Sequence, residues 1–239
     1  MKDLPAITLR YFDARGRAQY LRYYLRLRKV PFVDDRIPLD ENFAAWQKIK
    51  HDRDLTGPFL KLPVLHWGDL LLAESQVIHD WLHRKLGDEA SMNEQDNLRH
   101  AMLSSSCRSE LMLPLGMLLW QEVMYPGADL AASAQSSFQR ITAHLQILDA
   151  TLQEWQWFEM LGQRPMMLAD CLLWDSLNTS QTVLGSRLEW GATPHLHHFY
   201  QECQGASLFQ QMLAEQPCQQ SGRPQEAAAL QRIHAVLSA

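Results

Sequence analysis

The sequence lacks cysteine throughout its first 100 residues, and it contains no long uninterrupted run of apolar residues. Further along, four cysteines form neither a CxxC pair nor a zinc-type spacing: Cys107, Cys171, Cys203 and Cys218. The pattern therefore predicts neither a catalytic thiol near the N-terminus nor a zinc module. A membrane-spanning helix needs about 20 apolar residues, and the opening "MKDLPAITLRYF" has no apolar stretch suited to a signal peptide. We expect a cytoplasmic protein with reduced cysteines.

An excess of positive charge is also missing. The chain has 22 Lys and Arg residues against 27 Asp and Glu residues, which gives a formal net charge of −5. Because the basic residues are scattered, the composition does not predict a nucleic-acid surface. The 239 residues are enough for one large domain or two small ones with a buried core.

The first part of the chain, to about residue 85, alternates between strand and helix patterns. "AITLRYF" predicts a strand and "PFVDDRI" a second one. Between them, apolar residues recur at helical spacing with arginines in the intervening positions, which predicts an amphipathic helix. The apolar set is Ala18, Leu21 and Leu25, and the arginines are Arg22, Arg26 and Arg28.

Further strand and helix patterns complete this first domain. "ENFAAWQKIK" predicts a short helix, "HDRDLTGPFLK" a loop, and "LPVLHWGDLLLAES" a hairpin that turns at Gly68 and Asp69. A helix follows from Ser75. The order β-α-β-α-β-β-α predicts a small mixed sheet with helices packed on it.

The polar connector "LGDEASMNEQD" separates this domain from a remainder with only helical patterns. We predict helices at 94–124, about 130–160, 168–185 and 194–214, and a terminal helix with Leu230, Ile233 and Leu237 on one face. Pro114 and Gly116 are expected to bend the first of these helices. The prediction is an α/β domain at 1–86 joined to an all-helical domain at 94–239.

Two local motifs carry possible chemistry. In Leu62-Pro63-Val64, a proline opens a predicted strand, where its missing N–H is tolerated. A cis bond there would expose the preceding backbone to a ligand, although an ordinary trans proline is the more frequent arrangement. In Glu74-Ser75, a serine precedes a helix whose free N–H groups could bind a carboxylate, although most such serines only cap their own helix.

Taken in order, these motifs resemble the cytosolic glutathione transferases, in particular the tyrosine-type classes with a sigma-like pattern. The matching segments are "YFDARGRA", "WQKIK", "KLPVL" and "LAESQVIHDWL", and they extend over most of the first domain. The resemblance implies a thioredoxin-like N-terminal domain followed by an all-helical C-terminal domain that forms the electrophile pocket. It also implies a homodimer and glutathione as a co-substrate, with no metal and no nucleic-acid or membrane partner.

The resemblance assigns a role to each matching position. Tyr11 corresponds to the tyrosine that hydrogen-bonds the glutathione sulfur, and Arg17 to an arginine near the active site. The remaining glutathione-binding positions are Trp46, Lys50 and Lys61 with Leu62, Pro63, Glu74 and Ser75. Trp46 and Lys50 are expected at the glycyl end, Leu62 at the cysteinyl backbone, and Ser75 at the γ-glutamyl carboxylate.

Two positions in the long helix follow from a looser alignment. Glu110 lies near an acidic residue that, in relatives, reaches glutathione across the dimer. Trp120 lies where relatives place an aromatic side chain against the electrophile. Ordinary helix surface and core account for both equally well. Arg15 is expected at a solvated helix start.

Several positions depart from the family pattern. Glu74 replaces a glutamine and adds negative charge near a ligand with two carboxylates. The loop between Lys50 and Pro63 is about four residues longer than in sigma-like relatives, so the identity of the lysine that contacts glutathione is open.

Met167 occupies the usual Ser/Thr cap position before Asp170, which we expect to be structural. His195 and His198 lie one helical turn apart, but a zinc site needs three or four ligands, so surface histidines are favoured.

The leading functional hypothesis is an enzyme that ionises glutathione and directs its thiolate onto small apolar electrophiles, a detoxification reaction. Glutathione-dependent peroxidase or isomerase activity would use the same thiolate. A protein of this fold that binds without catalysis is the alternative from another class.

Overall fold

The computed structural model of the chain describes residues 4–40, 43–127, 129–161, 164–207, 209–211 and 225–238. The described residues form two compact units, which change over between Asn97 and Leu98. The limits 1–86 and 94–239, and the functions assigned to the two domains, stay predictions. Cys218 and the end of the predicted helix 194–214 lie outside the described residues.

The first unit contains a four-stranded mixed sheet with strand order β2-β1-β3-β4. β1 is parallel to β2 and antiparallel to β3, and β4 is antiparallel to β3. The elements are β1 (Ile7–Phe12), α1 (Gln19–Leu27), β2 (Val33–Ile37), α2 (Ala44–Ile49), α3 (Arg53–Thr56), β3 (Val64–Trp67), β4 (Leu70–Ala73) and α4 (Ser75–Lys85). This confirms the mixed sheet and its element order, with one addition: the predicted loop contains α3. Asp52 caps that short helix by accepting a hydrogen bond from the Asp54 N–H.

The register of the strands decides which chain segments meet at one end of the sheet. Arg10 of β1 pairs with Val64 of β3, and Val64 pairs with Ala73 of β4. The next residue outward on β1 is Tyr11, and the residues just beyond the paired ends of β3 and β4 are Pro63 and Glu74. Tyr11 therefore lies beside Pro63 and Glu74, two residues of a hairpin that is far from it in the sequence.

Helix α1 is buried on more sides than its pattern predicts. Leu21 and Leu25 are in the core as expected, but Arg22 is also completely buried. The amphipathic pattern predicts Arg22 on the polar side of the helix, and this prediction is wrong. A charged side chain is kept in a protein interior only when it is paired and hydrogen-bonded, and Arg22 forms an ion pair with Asp34 of β2.

The second unit, from Leu98 onward, contains helices and no strand among its described residues. They are α5 (Glu94–Ser106, beginning in the first unit), α6 (Leu113–Met124), α7 (Leu130–Glu154), α8 (Trp157–Leu161), α9 (Leu168–Leu184), α10 (Pro194–Gly205) and α11 (Glu226–Ser238). Within the described ranges, no helix is long and apolar enough to cross a membrane.

The predicted helix 94–124 is interrupted, but not by Pro114 and Gly116. A π-helical segment, Cys107–Met112, joins α5 to α6. Pro114 lies in the first turn of α6, where its missing N–H leaves no intrahelical bond unmade. The predicted helix 130–160 is likewise divided into α7 and α8.

The start of α9 is stabilised without the Ser/Thr cap that position 167 lacks. The buried Asp170 carboxylate accepts hydrogen bonds from the Met167 N–H at 2.7 Å, from Trp157 Nε1 at 2.8 Å and from Arg164 Nη1 at 2.7 Å. The imidazole of His100 accepts the Ala169 N–H at 3.1 Å. These contacts support a structural role for Asp170.

We predict that Asp170→Asn lowers the free energy of unfolding by about 3–5 kcal/mol, because it leaves the Arg164 guanidinium without its carboxylate in a buried site. Urea denaturation measures the change. Glu202→Gln is the control: the Glu202 carboxylate is 63% exposed and pairs with His198 on the surface of α10, so its loss should cost less than about 1 kcal/mol. Equal costs for the two variants would contradict a structural role for Asp170.

Candidate active site

Tyr11 lies near the end of β1 and shares its buried face with Ile7 and Leu9. Its side chain reaches the junction between the strand and α1, and the residue is only 9% exposed. The hydroxyl oxygen accepts a hydrogen bond from the backbone N–H of Arg17 at 3.1 Å. Since this bond uses an oxygen lone pair, the hydroxyl proton is left to be donated to another group.

Gly16 is required next to this hydroxyl, and it is not among the site residues predicted from the sequence. Its φ of +39° lies in the left-handed region, and a Cβ added there would collide with the Tyr11 oxygen. Both conditions are met only by glycine. The available signal was the glycine inside the Arg-Gly-Arg motif that directly follows the first strand.

The environment of Tyr11 keeps its hydroxyl protonated. Burial raises the pKa of Tyr11 above its usual value, while the Arg17 N–H and the positive charges of Arg17 and Arg22 act in the opposite direction. The guanidinium of Arg22 lies 5.8 Å from the centre of the tyrosine ring. A tyrosine that stays protonated at neutral pH can act as a hydrogen-bond donor to an anion.

Trp46 of α2 is brought to the same end of the sheet by aromatic packing. Its ring contacts Phe12 edge-on at 5.4 Å between centroids, and Phe12 contacts Tyr11 in the same way at 5.5 Å. Lys50 follows Trp46 by one helical turn and is half-buried at the end of α2. Its carbonyl accepts a hydrogen bond from the Thr56 hydroxyl.

The peptide bond between Leu62 and Pro63 is cis. Frequency alone favours the trans isomer at this position, and that preference is wrong. Pro63 is buried, Leu62 is half-buried and the Lys61 side chain is exposed. The backbone N–H of Lys61 donates to the Thr56 carbonyl at 3.1 Å, which anchors the segment before the proline.

Glu74 and Ser75 form the junction between β4 and α4. The helix begins at Ser75, so the N-cap position belongs to Glu74 and not to Ser75 as we predicted. Glu74 has a φ of +67° and an exposed side chain. The Tyr20 hydroxyl donates to the Ser75 carbonyl at 3.0 Å, and this fixes the start of α4 against α1.

The first unit therefore brings together the residues predicted at the ends of its strands. Tyr11, Pro63 and Glu74 are neighbours through strand register, with Leu62 and Ser75 adjacent to them in the chain. Trp46 joins them through Phe12. Arg17 supplies its backbone N–H to Tyr11, while its side chain is exposed. Arg15 is 7% exposed, so its predicted solvated position is wrong.

The two looser predictions, Glu110 and Trp120, belong to the second unit. Glu110 accepts two hydrogen bonds from Arg140 of α7, at 2.8 and 3.1 Å. These bonds and the Arg140 charge hold the pKa of Glu110 below its usual value. Trp120 lies on α6 and is 40% exposed. The roles of both residues stay predictions.

In the described ranges, His, Cys, Asp and Glu side chains form no cluster of three or more that could hold a metal ion. His198 is exposed and lies 3.3 Å from Glu202. Cys107, Cys171 and Cys203 are buried free thiols, and burial raises the pKa of Cys107 to about 12.

Comparisons with known proteins show similarity in part of the sequence and in the fold. No family model matches the chain. A glutathione S-transferase of Plasmodium falciparum is 35% identical over 91 residues, which cover 37% of this chain and 42% of that protein. Rat hematopoietic prostaglandin D synthase is 38% identical over 79 residues, covering 33% and 36% of the two chains. The chain thus matches less than half the length of these curated relatives.

Solved structures extend the likeness to the whole fold. The sigma class glutathione transferase of Fasciola hepatica has a TM-score of 0.69 at 21% identity, covering 90% of this chain and 98% of its own. The rat prostaglandin D synthase, in complex with a quinoline, has a TM-score of 0.67 at 24% identity, covering 90% of this chain and 100% of its own.

The protein therefore has the glutathione transferase fold, a thioredoxin-like domain followed by a helical one. The named relatives and the solved structures together confirm its resemblance to the cytosolic glutathione transferase family. The assignment to the tyrosine type and to a sigma-like class stays a prediction.

We predict that Gly16→Ala displaces the Tyr11 hydroxyl and lowers the stability by more than the cost of backbone strain alone. The matched control is Gly87→Ala, because Gly87 also has a left-handed φ, +88°, but its added Cβ would meet nothing within 4 Å. Strain should cost about 1–3 kcal/mol in either variant.

Fluorine NMR of protein labelled with 3-fluorotyrosine, with Tyr11→Phe to assign the signal, measures the displacement. The Tyr11 signal should move in Gly16→Ala and stay in place in Gly87→Ala. An unmoved signal in both variants would contradict the close contact between position 16 and the hydroxyl.

Proposed function

We propose that the protein is a glutathione transferase that stabilises the glutathione thiolate with the Tyr11 hydroxyl and transfers it to small apolar electrophiles. One observation carries the proposal: a buried tyrosine hydroxyl keeps its proton free for a ligand at the sheet end where a cis-proline and a helix N-terminus meet. Tyr11 is the proposed catalytic residue.

The energetics of this role are favourable. A free thiol has a pKa of about 8.5, so only a few per cent is thiolate at neutral pH. Lowering that pKa by about two units requires roughly 3 kcal/mol of differential stabilisation. A hydrogen bond to a charged group contributes about 1.5–3 kcal/mol. The Tyr11 hydroxyl can supply at least half of the requirement, and the Arg17 and Arg22 charges add to it in the same direction.

The remaining residues bind the two ends of glutathione in this proposal. The start of α4 at Ser75 binds the γ-glutamyl carboxylate, because free N–H groups and the helix dipole favour an anion there. The exposed Glu74 carboxylate accepts from the amine beside it. The Leu62 backbone binds the cysteinyl part, which sets the sulfur toward Tyr11. Trp46, Lys50 and Lys61 bind the glycyl carboxylate.

The helical domain supplies the electrophile pocket, with Trp120 against the electrophile. Glu110 reaches the glutathione amine of the partner subunit, which requires it to be released from or shared with Arg140. Holding the thiolate close to a bound electrophile then accelerates the transfer reaction. Detoxification and a cytoplasmic location complete the proposal and rest on the resemblance alone.

A second candidate is glutathione-dependent isomerisation, favoured by the relatives named hematopoietic prostaglandin D synthase. It would use the same thiolate on a different electrophile. Peroxidase activity and binding without catalysis are further alternatives. Turnover of an aryl halide favours conjugation, whereas saturable glutathione binding with no turnover on any electrophile favours a binding protein.

We predict that the thiol of bound glutathione ionises at lower pH in the native protein than in Tyr11→Phe. Loss of the hydroxyl removes one charge-assisted hydrogen bond, so the midpoint should rise by about one to two pH units. The ultraviolet difference spectrum of bound glutathione across pH measures it. Tyr125→Phe is the control, because that tyrosine is 67% exposed.

A midpoint equal to that of free glutathione, or identical in Tyr11→Phe and the native protein, would exclude the proposed role of Tyr11. Absence of glutathione binding would exclude the function while leaving the fold intact.

Exposed apolar side chains on α5 and α6 are the proposed interface of the homodimer. Leu98 and Met102 on α5 and Leu113 and Met117 on α6 are 45–62% exposed. We predict that Met117→Glu shifts the chain toward monomer, because a charge buried at an interface without a partner is costly. Light scattering measures the mass. Ile147→Glu, at a residue that is also 62% exposed but lies on α7, should leave the dimer intact. A native protein that is monomeric at micromolar concentration would contradict the proposal.

A further inference from the structure

Arg22 is a fully buried cation in the first unit, and its contacts converge on one loop. Its Nη1 donates to the Ala14 carbonyl at 2.8 Å, and its Nη2 donates to the Phe12 carbonyl at 3.2 Å. Its Nε donates to the Asp34 carboxylate at 2.9 Å. The guanidinium therefore holds the backbone on both sides of Asp13.

Asp13 itself is held from the other side of the loop. Arg36 donates to the Asp13 carboxylate at 2.8 Å and to the second oxygen of Asp34 at 2.9 Å. Arg22, Asp34 and Arg36 thus form a connected network that binds three consecutive residues, 12 to 14, at the end of β1 and the start of the loop that follows it. Burial opposes ionisation of Asp34, but the two arginines hold its pKa below the usual value, so the network stays charged.

The far end of the same loop touches the Tyr11 hydroxyl. The Arg17 N–H donates to it, and Gly16 lies against it without a Cβ. Arg22 therefore fixes the beginning of the loop, and the end of the loop contacts the Tyr11 hydroxyl. A shift of the first part must be passed to Gly16 and Arg17, because only Arg15 lies between Ala14 and Gly16.

We propose that Arg22 is a positioning residue for Tyr11: by holding the loop 12–14, it sets the orientation in which the hydroxyl offers its proton. The positioning itself is a property of the ligand-free protein. Its consequence for catalysis rests on the proposed transferase function. Arg22 contacts the backbone of the loop, Gln19 and Asp34, and its positioning effect reaches the sulfur through Tyr11.

Arg28 provides a matched control at the other end of α1. It also pairs with a buried aspartate, Asp88, at 2.7 Å, and donates to a carbonyl, that of Leu86, at 2.8 Å. Its guanidinium lies 5.8 Å from the ring of Tyr24. Arg22 and Arg28 therefore have similar contacts, but only those of Arg22 lead to Tyr11.

The experiment compares Arg22→Lys with Arg28→Lys in ligand-free protein labelled with 3-fluorotyrosine. Lysine keeps the positive charge but loses the planar fork that binds two carbonyls and a carboxylate together. In Arg22→Lys we expect the Tyr11 fluorine signal to move or broaden, with the Tyr24 signal unchanged. In Arg28→Lys the Tyr24 signal should move or broaden, and the Tyr11 signal should stay unchanged.

The kinetic readout is turnover with glutathione and an aryl halide. Arg22→Lys should lower kcat about tenfold or more at a nearly unchanged KM for glutathione, because misplacement of a catalytic group is costly even when binding persists. Arg28→Lys should keep the native kcat. A Tyr11 signal and a kcat that stay native in Arg22→Lys would overturn the proposal and leave Arg22 a stabilising residue only.

The double variant Arg22→Gln with Asp34→Asn serves if Arg22→Lys does not fold, because it removes both charges and leaves neither one buried alone. A moved Tyr11 signal in this variant supports the proposal, and an unmoved one overturns it. If the Tyr11 signal moves but no variant, nor the native protein, binds glutathione, the positioning role stands and the proposed function fails.

Discussion

The strand register of the first unit is the constraint on which the candidate site depends. Arg10, Val64 and Ala73 are paired across three strands, so the residues just outside these pairs lie side by side at one end of the sheet. The residue just outside each paired position has a distinct feature: the hydroxyl of Tyr11, which follows Arg10, the cis bond of Pro63, which precedes Val64, and the helix N-cap position of Glu74, which follows Ala73. A shift of one residue would turn Tyr11 to the opposite face of the sheet, because side chains alternate along a strand. The backbone ladder therefore determines the chemistry that the side chains can reach.

The sequence predicted the order of elements and the segments at the sheet end, because these follow from local patterns and a series of motifs in fixed order. It could not predict which arginine is buried. Arg22, Arg26 and Arg28 occupy similar positions in the helical pattern, and only the tertiary pairing with Asp34 admits Arg22 to the interior. Nor does sequence reveal a proline isomer, which depends on the surrounding fold. The exact helix start at Ser75 likewise depends on the conformation of Glu74.

The helical unit illustrates a different limit. Met167 occupies the usual Ser/Thr cap position, yet Asp170 and His100 accept hydrogen bonds from backbone N–H groups at the start of α9. His100 is distant in the chain, so no local rule connects it to this helix end. Similarly, the π-helical segment at Cys107–Met112 has no clear local signature in the sequence. The predicted bend was assigned to Pro114, which lies in the first turn of α6. The sequence motifs of the second unit are correspondingly less specific than those of the first.

The contact between Gly16 and the Tyr11 oxygen has an evolutionary consequence. The hydroxyl occupies the space that a side chain at position 16 would need, so the two positions are not free to vary independently. A lineage that keeps a tyrosine must also keep the glycine. One that replaces the tyrosine by a serine or cysteine vacates that space, although the left-handed backbone would still disfavour larger residues. We therefore expect correlated change at positions 11 and 16 among relatives.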